Sequence, residues 1–434
     1  MKKWLLISGG LLLIVSGIYY ICYSNENRVV LESDKTDNNV NTNFISMMYE
    51  TESGSGEYTT SSDSAWPQDG YIFNAELSSC ENGSKLTWND ETKQVLLEAN
   101  VSDKCYVYFD KEPDIIYFAD YIVNNVYTGT DGDNGLYYHD GTGSYTNADQ
   151  EAGDNSYRFA GANPNNFVCF GSDDATCPND NLYRIIGVFD DKVKLIKYDY
   201  ADSSLLGTDG GYMLVDESTL GISFSEYINF LNEFGVQTAG YKGNKEMQKI
   251  LSYMWSDDSY WSSSDLNKIN LNQNYLTNIG SKWAELIAIN SWLCGIQVIR
   301  SDDDIAIAGL SVKNAFLKEV ENPENYVSYD AKIGLMYVSD YGYAASPENW
   351  TTELSNYGNY TNINNNWMFM SGIEWTISSY VTTSIDYTFI IMSDGAFASF
   401  RPLAPLMVRP SFYLNSDVQY VSGDGSLSNP YRIA

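Results

Sequence analysis

The chain has 434 residues, of which 44% are hydrophobic, so it can bury at least one sizeable core and is not a disordered protein. Its 57 acidic residues against 25 basic ones give a formal net charge of −32. That charge repels the phosphates of nucleic acids, so we expect no nucleic-acid partner. We interpret the acidic surface as a means of keeping a secreted protein soluble.

The first predicted element is a membrane anchor. Residues 4–23, WLLISGGLLLIVSGIYYICY, carry no charge and match the about 20 residues that an α-helix needs to cross a bilayer. A cleaved signal peptide is the alternative, but its apolar region is shorter and ends in small residues, whereas this run ends in IYYI. Lys2 and Lys3 precede the run, which places the bulk of the chain outside the cytoplasm. The sequence predicts a single-pass cell-membrane protein, with residues 1–23 as cytoplasmic tip and anchor.

The cysteines agree with an oxidising compartment outside the cytoplasm. Cys80 and Cys105 bracket one compact segment, and Cys169 and Cys177 close a short loop, so we predict these two disulfides. Cys294, in WLCGI, is left over. We interpret it as a buried, inert thiol, and a nucleophile is the alternative.

The composition divides the extracellular part into four regions. Residues 24–65 are rich in Ser, Thr, Asn, Glu and Gly and predict a flexible stalk. Residues 66–110 contain short β-prone runs between turn signals, which predicts a small disulfide-stapled β module. Residues 111–180 predict a Gly/Asp-rich connector that carries the second disulfide loop. Residues 181–434 predict the main head domain.

The head begins with a predicted hairpin, LYRIIGVF and KVKLIKY, around a pair of aspartates at 190–191. Helical periodicity follows, with capping-box spacing between Ser223 and Glu226, and strand-like runs such as IGLMYV, IEWTIS and TFIIM dominate the last third of the chain. Helices first and antiparallel strands later predict the α+β class.

The chain keeps strand character to its end, in SFYL and PYRI. We predict that the terminal PYRI pairs with the opening strand at 182–189 and closes the sheet. Alternating side chains would then place Phe412, Leu414, Tyr431 and Ile433 in the core.

Residues 181–434 resemble a domain of a family of cell-surface proteins from gut Firmicutes. The motifs that carry the resemblance are NLYRIIGVF, IGLMYVSDYGYA, PENW, NNNWM, EWTIS and the terminal VRPSFYLNSDVQYVSGDGSLSNPYRI. The Cys80–Cys105 segment is similar to a module that recurs upstream of such domains. The resemblance implies a C-type-lectin-like or formylglycine-generating-enzyme-like head, but no activity.

Few residues point to catalysis or to metal binding. His139 is the single histidine, and it lies in the Gly/Asp-rich connector, so a Ser-His-Asp or Cys-His site is not expected. The DGDNG turn at 131–135 lacks the third ligand and the terminal Glu of a calcium loop, and we interpret it as a solvated turn. Glu374 lies in the apolar run IEWTI, where burial would raise the pKa of its carboxyl, and we interpret it as the partner in a structural hydrogen bond to a neighbouring turn, with a catalytic role as the alternative. We expect no metal and no cofactor.

The positive signal is the aromatic content of 36 Tyr, 10 Trp and 17 Phe. Many of these residues stand among Ser, Asn and Gly, the composition of binding loops, although core packing is the alternative. The predicted ligand-binding residues are Tyr260, Trp261, Trp350, Tyr360 and Trp367.

Three functions remain open at this point. The first is a membrane-anchored extracellular binding or adhesion protein of a Gram-positive-type bacterium, which recognises a glycan or a surface protein without catalysis. The second is a cell-surface carbohydrate-active hydrolase that uses two carboxylates. The third is a structural surface component.

Overall fold

The computed structural model describes most of the chain after residue 43. The described residues are 19–20, 44–60, 66–67, 69–98, 102–142, 150–233, 241, 243, 245–256, 260–298, 309–323, 326–359, 365–381 and 386–434. The chain forms two compact units, Met1–Ile115 and Ile116–Ala434. Both are built mostly of sheets, and the second adds short helices, so the predicted α+β class is confirmed.

The first unit consists of two small sheets. Its strands are β1 (Tyr19–Tyr20), β2 (Phe44–Glu50), β3 (Tyr58–Thr60), β4 (Tyr71–Cys80), β5 (Lys85–Asn89), β6 (Gln94–Glu98) and β7 (Lys104–Lys111). One sheet has the order β3-β2-β7-β4 and the other the order β1-β6-β5. Alternate side chains of β7 are buried, including Val107 and Phe109, which form the core with Val95. The Cys80–Cys105 disulfide joins β4 to β7, as predicted.

The stalk prediction for residues 24–65 is wrong at its end. Phe44–Glu50 pairs in parallel with Lys104–Lys111, and Tyr58–Thr60 returns beside it. The apolar run FISMMY forms backbone pairs with a strand that is distant in sequence. The Ser- and Gly-rich residues around it gave no indication of this pairing. Glu50 is buried and accepts hydrogen bonds from the amides of Gly56 and Lys111, which lowers the pKa of its carboxyl and fixes the return turn.

The second unit contains fourteen of the described strands, in two principal sheets and one pair. They are β8 (Leu136–Tyr138), β9 (Tyr157–Phe159), β10 (Phe167–Cys169), β11 (Leu182–Phe189), β12 (Lys192–Lys197), β13 (Asn290–Val298), β14 (Tyr326–Ala331), β15 (Ile333–Gly334), β16 (Glu374–Val381), β17 (Asp386–Ile391), β18 (Phe397–Phe400), β19 (Ser411–Tyr413), β20 (Tyr420–Ser422) and β21 (Arg432–Ile433). One sheet runs β15-β19-β12-β11-β9-β8, with β10 also on β11, and the other runs β14-β13-β16-β17-β18. The predicted β11–β12 hairpin is confirmed, with Asp190 at its turn in the left-handed region, φ 53°.

Short helices cover these sheets. The α-helices are α1 (Phe118–Tyr121), α2 (Ser203–Leu206), α3 (Glu217–Leu220), α4 (Phe224–Glu233), α5 (Met247–Ile250), α6 (Leu276–Asn278), α7 (Ser281–Glu285), α8 (Val312–Phe316) and α9 (Val338–Ala344). π-Helical turns lie at Ile122–Val126, Leu266–Tyr275 and Leu317–Glu321, and 3-10 turns at Asp133–Gly135, Asn179–Asn181, Pro347–Asn349 and Leu354–Asn359. The predicted capping box is confirmed, because the carboxylate of Glu226 accepts the amide of Ser223 while the hydroxyl of Ser223 accepts the amide of Glu226.

The connector prediction for residues 111–180 is wrong for most of that range. Strands β8, β9 and β10 belong to the same sheet as β11, so this stretch is part of the second unit. The runs LYY, YRF and FVC are only three residues each, which is too short to rise above a Gly/Asp-rich background. The predicted Cys169–Cys177 disulfide is confirmed within it.

The C-terminal prediction is right about the core and wrong about the partner. Phe412, Leu414, Tyr431 and Ile433 are all buried. Strand β21 pairs with β20, and Tyr431 exchanges backbone hydrogen bonds with Phe167 and Cys169 of strand β10. Since β10 pairs with β11, one strand stands between the terminus and the predicted partner.

Among the helices of the described part, none is long and apolar enough to cross a bilayer. The predicted anchor at residues 4–23 lies outside the described residues except for Tyr19–Tyr20, which pair with Leu96 and Leu97. The anchor therefore stays a prediction.

Candidate binding surface

Three of the five predicted ligand-binding aromatics lie in the core. Trp261, Trp350 and Trp367 are buried, and the indole N–H groups of the last two donate to the carbonyls of Ala345 and Phe159 at 2.9 and 2.7 Å. A buried indole that is hydrogen-bonded to backbone is part of the packing and offers no face to a ligand. The ligand-binding role predicted for these three tryptophans finds no support in the structure.

Tyr260 is exposed and Tyr360 lies outside the described residues. The side chain of Tyr260 is 53% exposed at the start of a turn. Its carbonyl accepts the amides of Ser263 and Ser264, so the backbone that carries the ring is fixed. Tyr260 is thus the one predicted ligand-binding residue that the structure places at the surface among the four it describes.

Two further apolar side chains are exposed on the loop at 402–405 and on the helix that hydrogen-bonds to it. Leu403 is 53% exposed and Phe230, on α4, is 41% exposed. We call Phe230, Tyr260 and Leu403 the 402-loop surface. Sequence analysis missed Phe230, which shares the helical periodicity of core residues, and Leu403, which stands alone between Pro402 and Ala404.

Hydrogen bonds join the segments of the 402-loop surface to one another. The amides of Trp255 and Ser256 both donate to the carbonyl of Pro402, at 2.9 and 3.3 Å. The hydroxyl of Tyr227, one helical turn before Phe230, donates to the carbonyl of Pro405 at 2.9 Å. The loop is therefore held from both sides by hydrogen bonds, which suits a preorganised binding surface.

Glu374 is excluded from contact with a substrate by its burial. Both of its oxygens accept from the guanidinium of Arg409, at 2.7 and 2.6 Å, and both side chains are nearly inaccessible. Desolvation raises the pKa of Glu374, while the adjacent Arg409 opposes that rise. Arg409 also donates to the carbonyl of Met368. The carboxylate is a structural partner, as the sequence favoured, but its partner is Arg409 rather than a neighbouring turn.

A second buried ion cluster escaped the sequence analysis. Lys194 of β12 contacts Asp340 of α9 at 2.6 Å, and Arg158 binds Asp154 at 2.5 Å and lies 3.9 Å from Asp340. The ammonium of Lys194 lies over the ring of Tyr337 at 4.6 Å. Lys194 is a single lysine in a predicted strand and Asp340 stands in the motif YVSDYGYA. Nothing in the sequence indicates that the fold brings these two residues together.

His139 has the geometry of a core residue. Its Nδ1 accepts the amide of Ala152 at 2.9 Å, and its ring packs against Tyr343 and Trp350. Its Nε2 has no hydrogen-bond partner within the described residues. Burial and the charge of Arg158 hold the pKa of His139 well below its usual value, so the ring is neutral at physiological pH.

The predicted turn at 131–135 is satisfied by protein donors. Asp131 accepts from the hydroxyl of Tyr127 and the amide of Tyr138, and Asp133 accepts from the hydroxyl of Thr128. These contacts occupy carboxylate oxygens that a cation would need.

The remaining cluster of metal-ligating residue types in the described part contains Cys80, Asp103 and Cys105. Its two sulfurs are bonded to each other. Asp103 accepts the amides of Asn82 and Ser84, and hydrogen bonds from Ser84, Asn82 and Lys104 outweigh desolvation to lower its pKa to about 2. The cluster is a structural one, since disulfide sulfurs are not thiolate ligands.

No protein-family model matches this chain, and the searches of curated proteins and of solved structures give no match either. The resemblance to surface proteins of gut Firmicutes is untested by these comparisons and stays a prediction.

Proposed function

We propose that this chain is an extracellular binding or adhesion protein that engages its ligand through the 402-loop surface. In this proposal residues 4–23 anchor the chain in the cell membrane, and the second unit is a C-type-lectin-like head. The ligand is a glycan or a surface protein.

The observation that carries the proposal is the exposure of Phe230, Tyr260 and Leu403 on segments that hydrogen bonds fix to one another. Water-exposed aromatic and aliphatic side chains on a fixed frame offer contact area at a low entropic cost, which is how binding sites obtain affinity. The three side chains come from separate parts of the sequence, and hydrogen bonds to the loop at 402–405 connect the segments that carry them.

The location outside the cytoplasm is supported by the two disulfides, one in each unit. Disulfides persist in oxidising compartments and are rare in the cytosol. The lysines before residues 4–23 and the acidic residues after them support the same orientation.

The sequence nominates no carboxylate pair for the hydrolase alternative, and Glu374, the one carboxylate that it singled out for discussion, is buried against Arg409. A structural surface component would require no defined ligand surface. If the proposal is right, replacing the residues of the 402-loop surface weakens ligand binding. If the chain is a structural component, the same replacement has no effect on ligand binding.

The test uses the full chain in phosphatidylcholine nanodiscs, applied to an array of glycans and synthetic peptides. The triple variant Phe230→Ser, Tyr260→Ser, Leu403→Ser is compared with Leu427→Ser, which removes a leucine that is 56% exposed, close to the 53% of Leu403. We expect the natural chain and the control to bind the same array members and the triple variant to lose them. Equal binding by all three proteins, or turnover of an array glycan, would contradict the proposal.

A further inference from the structure

One side of the β14-β13-β16-β17-β18 sheet is open to a further strand. Strand β14 pairs with β13 in six consecutive residue pairs without a bulge. It is the last strand on that side of the sheet within the described part of the chain. A straight edge strand presents a row of backbone N–H and C=O groups to which another strand can pair.

The backbone groups that face outward belong to Ser328 and its alternate neighbours. The amide of Leu293 in β13 donates to the hydroxyl of Tyr337 at 2.9 Å, so it does not point toward its register partner Ser328. Hydrogen-bonded and non-hydrogen-bonded positions alternate in an antiparallel pair. The N–H and C=O groups of Tyr326, Ser328 and Asp330 therefore point away from β13, and we call them the β14 edge. No hydrogen bond within the described residues occupies those of Ser328 and Asp330.

The other ends of the two principal sheets are closed or shorter. At β15, the amide and the carbonyl of Ile333 both bond to the side chain of Asn272. At β8, the carboxylate of Asp131 accepts the outward amide of Tyr138. Strand β18 has only four residues, against six in β14. Among the described sheet ends of the second unit, the β14 edge is thus the longest that lacks the protection that natural sheets usually give their edges.

An exposed apolar side chain indicates what a further strand would have to carry. Val327 lies in register with the buried Cys294, so it is on the core side of the sheet. Tyr329 is on the same side and packs against the core. Val327 is nevertheless 46% exposed. A strand with a large apolar side chain at the matching position would cover Val327 and extend the core.

We propose that the β14 edge pairs with the β14 edge of a second copy of this chain, antiparallel about a twofold axis at Ser328. The sequence YVSYD, residues 326–330, is nearly symmetric about Ser328. Self-pairing therefore places Val327 across from Tyr329 of the second copy, and the twofold axis makes this favourable pair form twice. A second copy supplies the matching apolar side chain by itself.

The charges of the strand tolerate this register. The two Asp330 carboxylates stay about 14 Å apart along the strand direction, beyond the screening length of about 8 Å at physiological salt. The dimer does not depend on a ligand at the 402-loop surface, so the inference goes beyond the proposed function.

The experiment measures the dimer dissociation constant of the full chain in mild detergent by sedimentation velocity. Ser328→Pro removes the outward N–H and with it both hydrogen bonds of the central pair, while the bonds between β14 and β13 remain. Ser328→Ala is the matched control, because it keeps that N–H. Association through residues 4–23 would be equal in all three proteins. Thermal unfolding followed by near-ultraviolet circular dichroism checks that Ser328→Pro is folded.

A second variant tests the register without a proline. Ser328→Cys puts a thiol on the twofold axis, where the Cα atoms of a hydrogen-bonded pair are about 5.5 Å apart and within reach of a disulfide. Its control is Ser422→Cys, which places a thiol on another exposed strand residue of the second unit.

We expect a reversible dimer, because one strand from each copy makes a small interface. The dissociation constant should be unchanged in Ser328→Ala and rise about tenfold in Ser328→Pro. Mild oxidation should link Ser328→Cys into dimers and leave Ser422→Cys monomeric. Added salt should strengthen the dimer, since it screens the repulsion between two chains of net charge −32.

Three results would overturn the inference. The first is a natural chain that stays monomeric at every concentration. The second is a dimer that is equally strong in Ser328→Pro and Ser328→Ala, because the interface would then lie elsewhere. The third is equal crosslinking of Ser328→Cys and Ser422→Cys.

Discussion

The ion pair between Glu374 and Arg409 gives the sharpest prediction about stability. Arg409→Met leaves the carboxylate of Glu374 buried without its cation, which costs about 3–5 kcal/mol. That loss is a large part of a total stability of about 5–15 kcal/mol. Replacing both residues by Met removes both buried charges, so the double variant recovers part of the loss.

The recovery is incomplete because each charged group has a second partner. The carbonyl of Met368 loses the donor Arg409, and the hydroxyl of Tyr200 loses the acceptor Glu374, which lies 3.5 Å away. Unsatisfied buried groups cost about 1–3 kcal/mol each. We expect the double variant to be less stable than the natural chain and more stable than Arg409→Met.

The pH dependence has a defined sign. Burial already raises the pKa of Glu374, and removing Arg409 takes away the main opposing influence. A carboxyl whose pKa is higher in the folded state loses stability as pH rises above its unfolded pKa of about 4.3. The deficit of Arg409→Met relative to the natural chain therefore shrinks between about pH 7 and about pH 4.

The assay is urea unfolding of the purified chain in mild detergent, followed by near-ultraviolet circular dichroism. The control is the pair Lys282 and Asp173, which has the same 2.6 Å separation but is exposed, so Lys282→Met costs at most about 1 kcal/mol. Equal losses for Arg409→Met and Lys282→Met, or a double variant no more stable than Arg409→Met, would refute the reasoning.

Three further predictions follow from buried groups. Deleting residues 424–434 removes Tyr431 and Ile433 from the core, and the burial of each contributes about 1.5–3 kcal/mol to the free energy of unfolding. We therefore expect the melting temperature to fall steeply. An unchanged melting temperature would show that these residues are dispensable for stability. The pKa of His139 is lowered in the folded state, so the free energy of unfolding falls as pH drops below about 6.5. In urea titrations at a series of pH values, His139→Asn should make the free energy of unfolding less dependent on pH below that value. Cys294 is a free, buried thiol whose pKa is raised by desolvation, so mass spectrometry should find it unalkylated by iodoacetamide until denaturant is added.

Features that depend on residues close together in the sequence were predicted correctly. Cys80 with Cys105 and Cys169 with Cys177 bracket short segments, so proximity in sequence was a sufficient guide. The capping box of α4 and the β11–β12 hairpin also depend on neighbours in sequence. Phe412 and Tyr431 follow strand alternation, and both are buried.

The candidate site was harder to predict, because polar residues next to an aromatic residue in the sequence did not indicate that the aromatic side chain is exposed. Trp261 and Trp367 stand among Ser and Asn, but some of the polar side chains near them, Ser264, Asn267 and Asn366, are themselves buried and bonded to backbone. Asn267 donates to the carbonyl of Trp261, and Asn366 donates to that of Tyr341. A polar neighbour indicates exposure only when its hydrogen bonds go to water. The partner of the terminal segment was missed for another reason. Strand β10 has only three residues, which is too few to show the alternation of apolar and polar residues that predicts a strand.

The central claim is that ligand binding takes place at the 402-loop surface, and hydroxyl-radical footprinting of the full chain tests it most directly. The chain is oxidised alone and with whichever array member it binds, and modification is read by mass spectrometry. The account predicts that Phe230, Tyr260 and Leu403 become protected on binding while Leu427 is oxidised equally in both samples. Protection elsewhere on the chain, with these three residues unchanged, would contradict it.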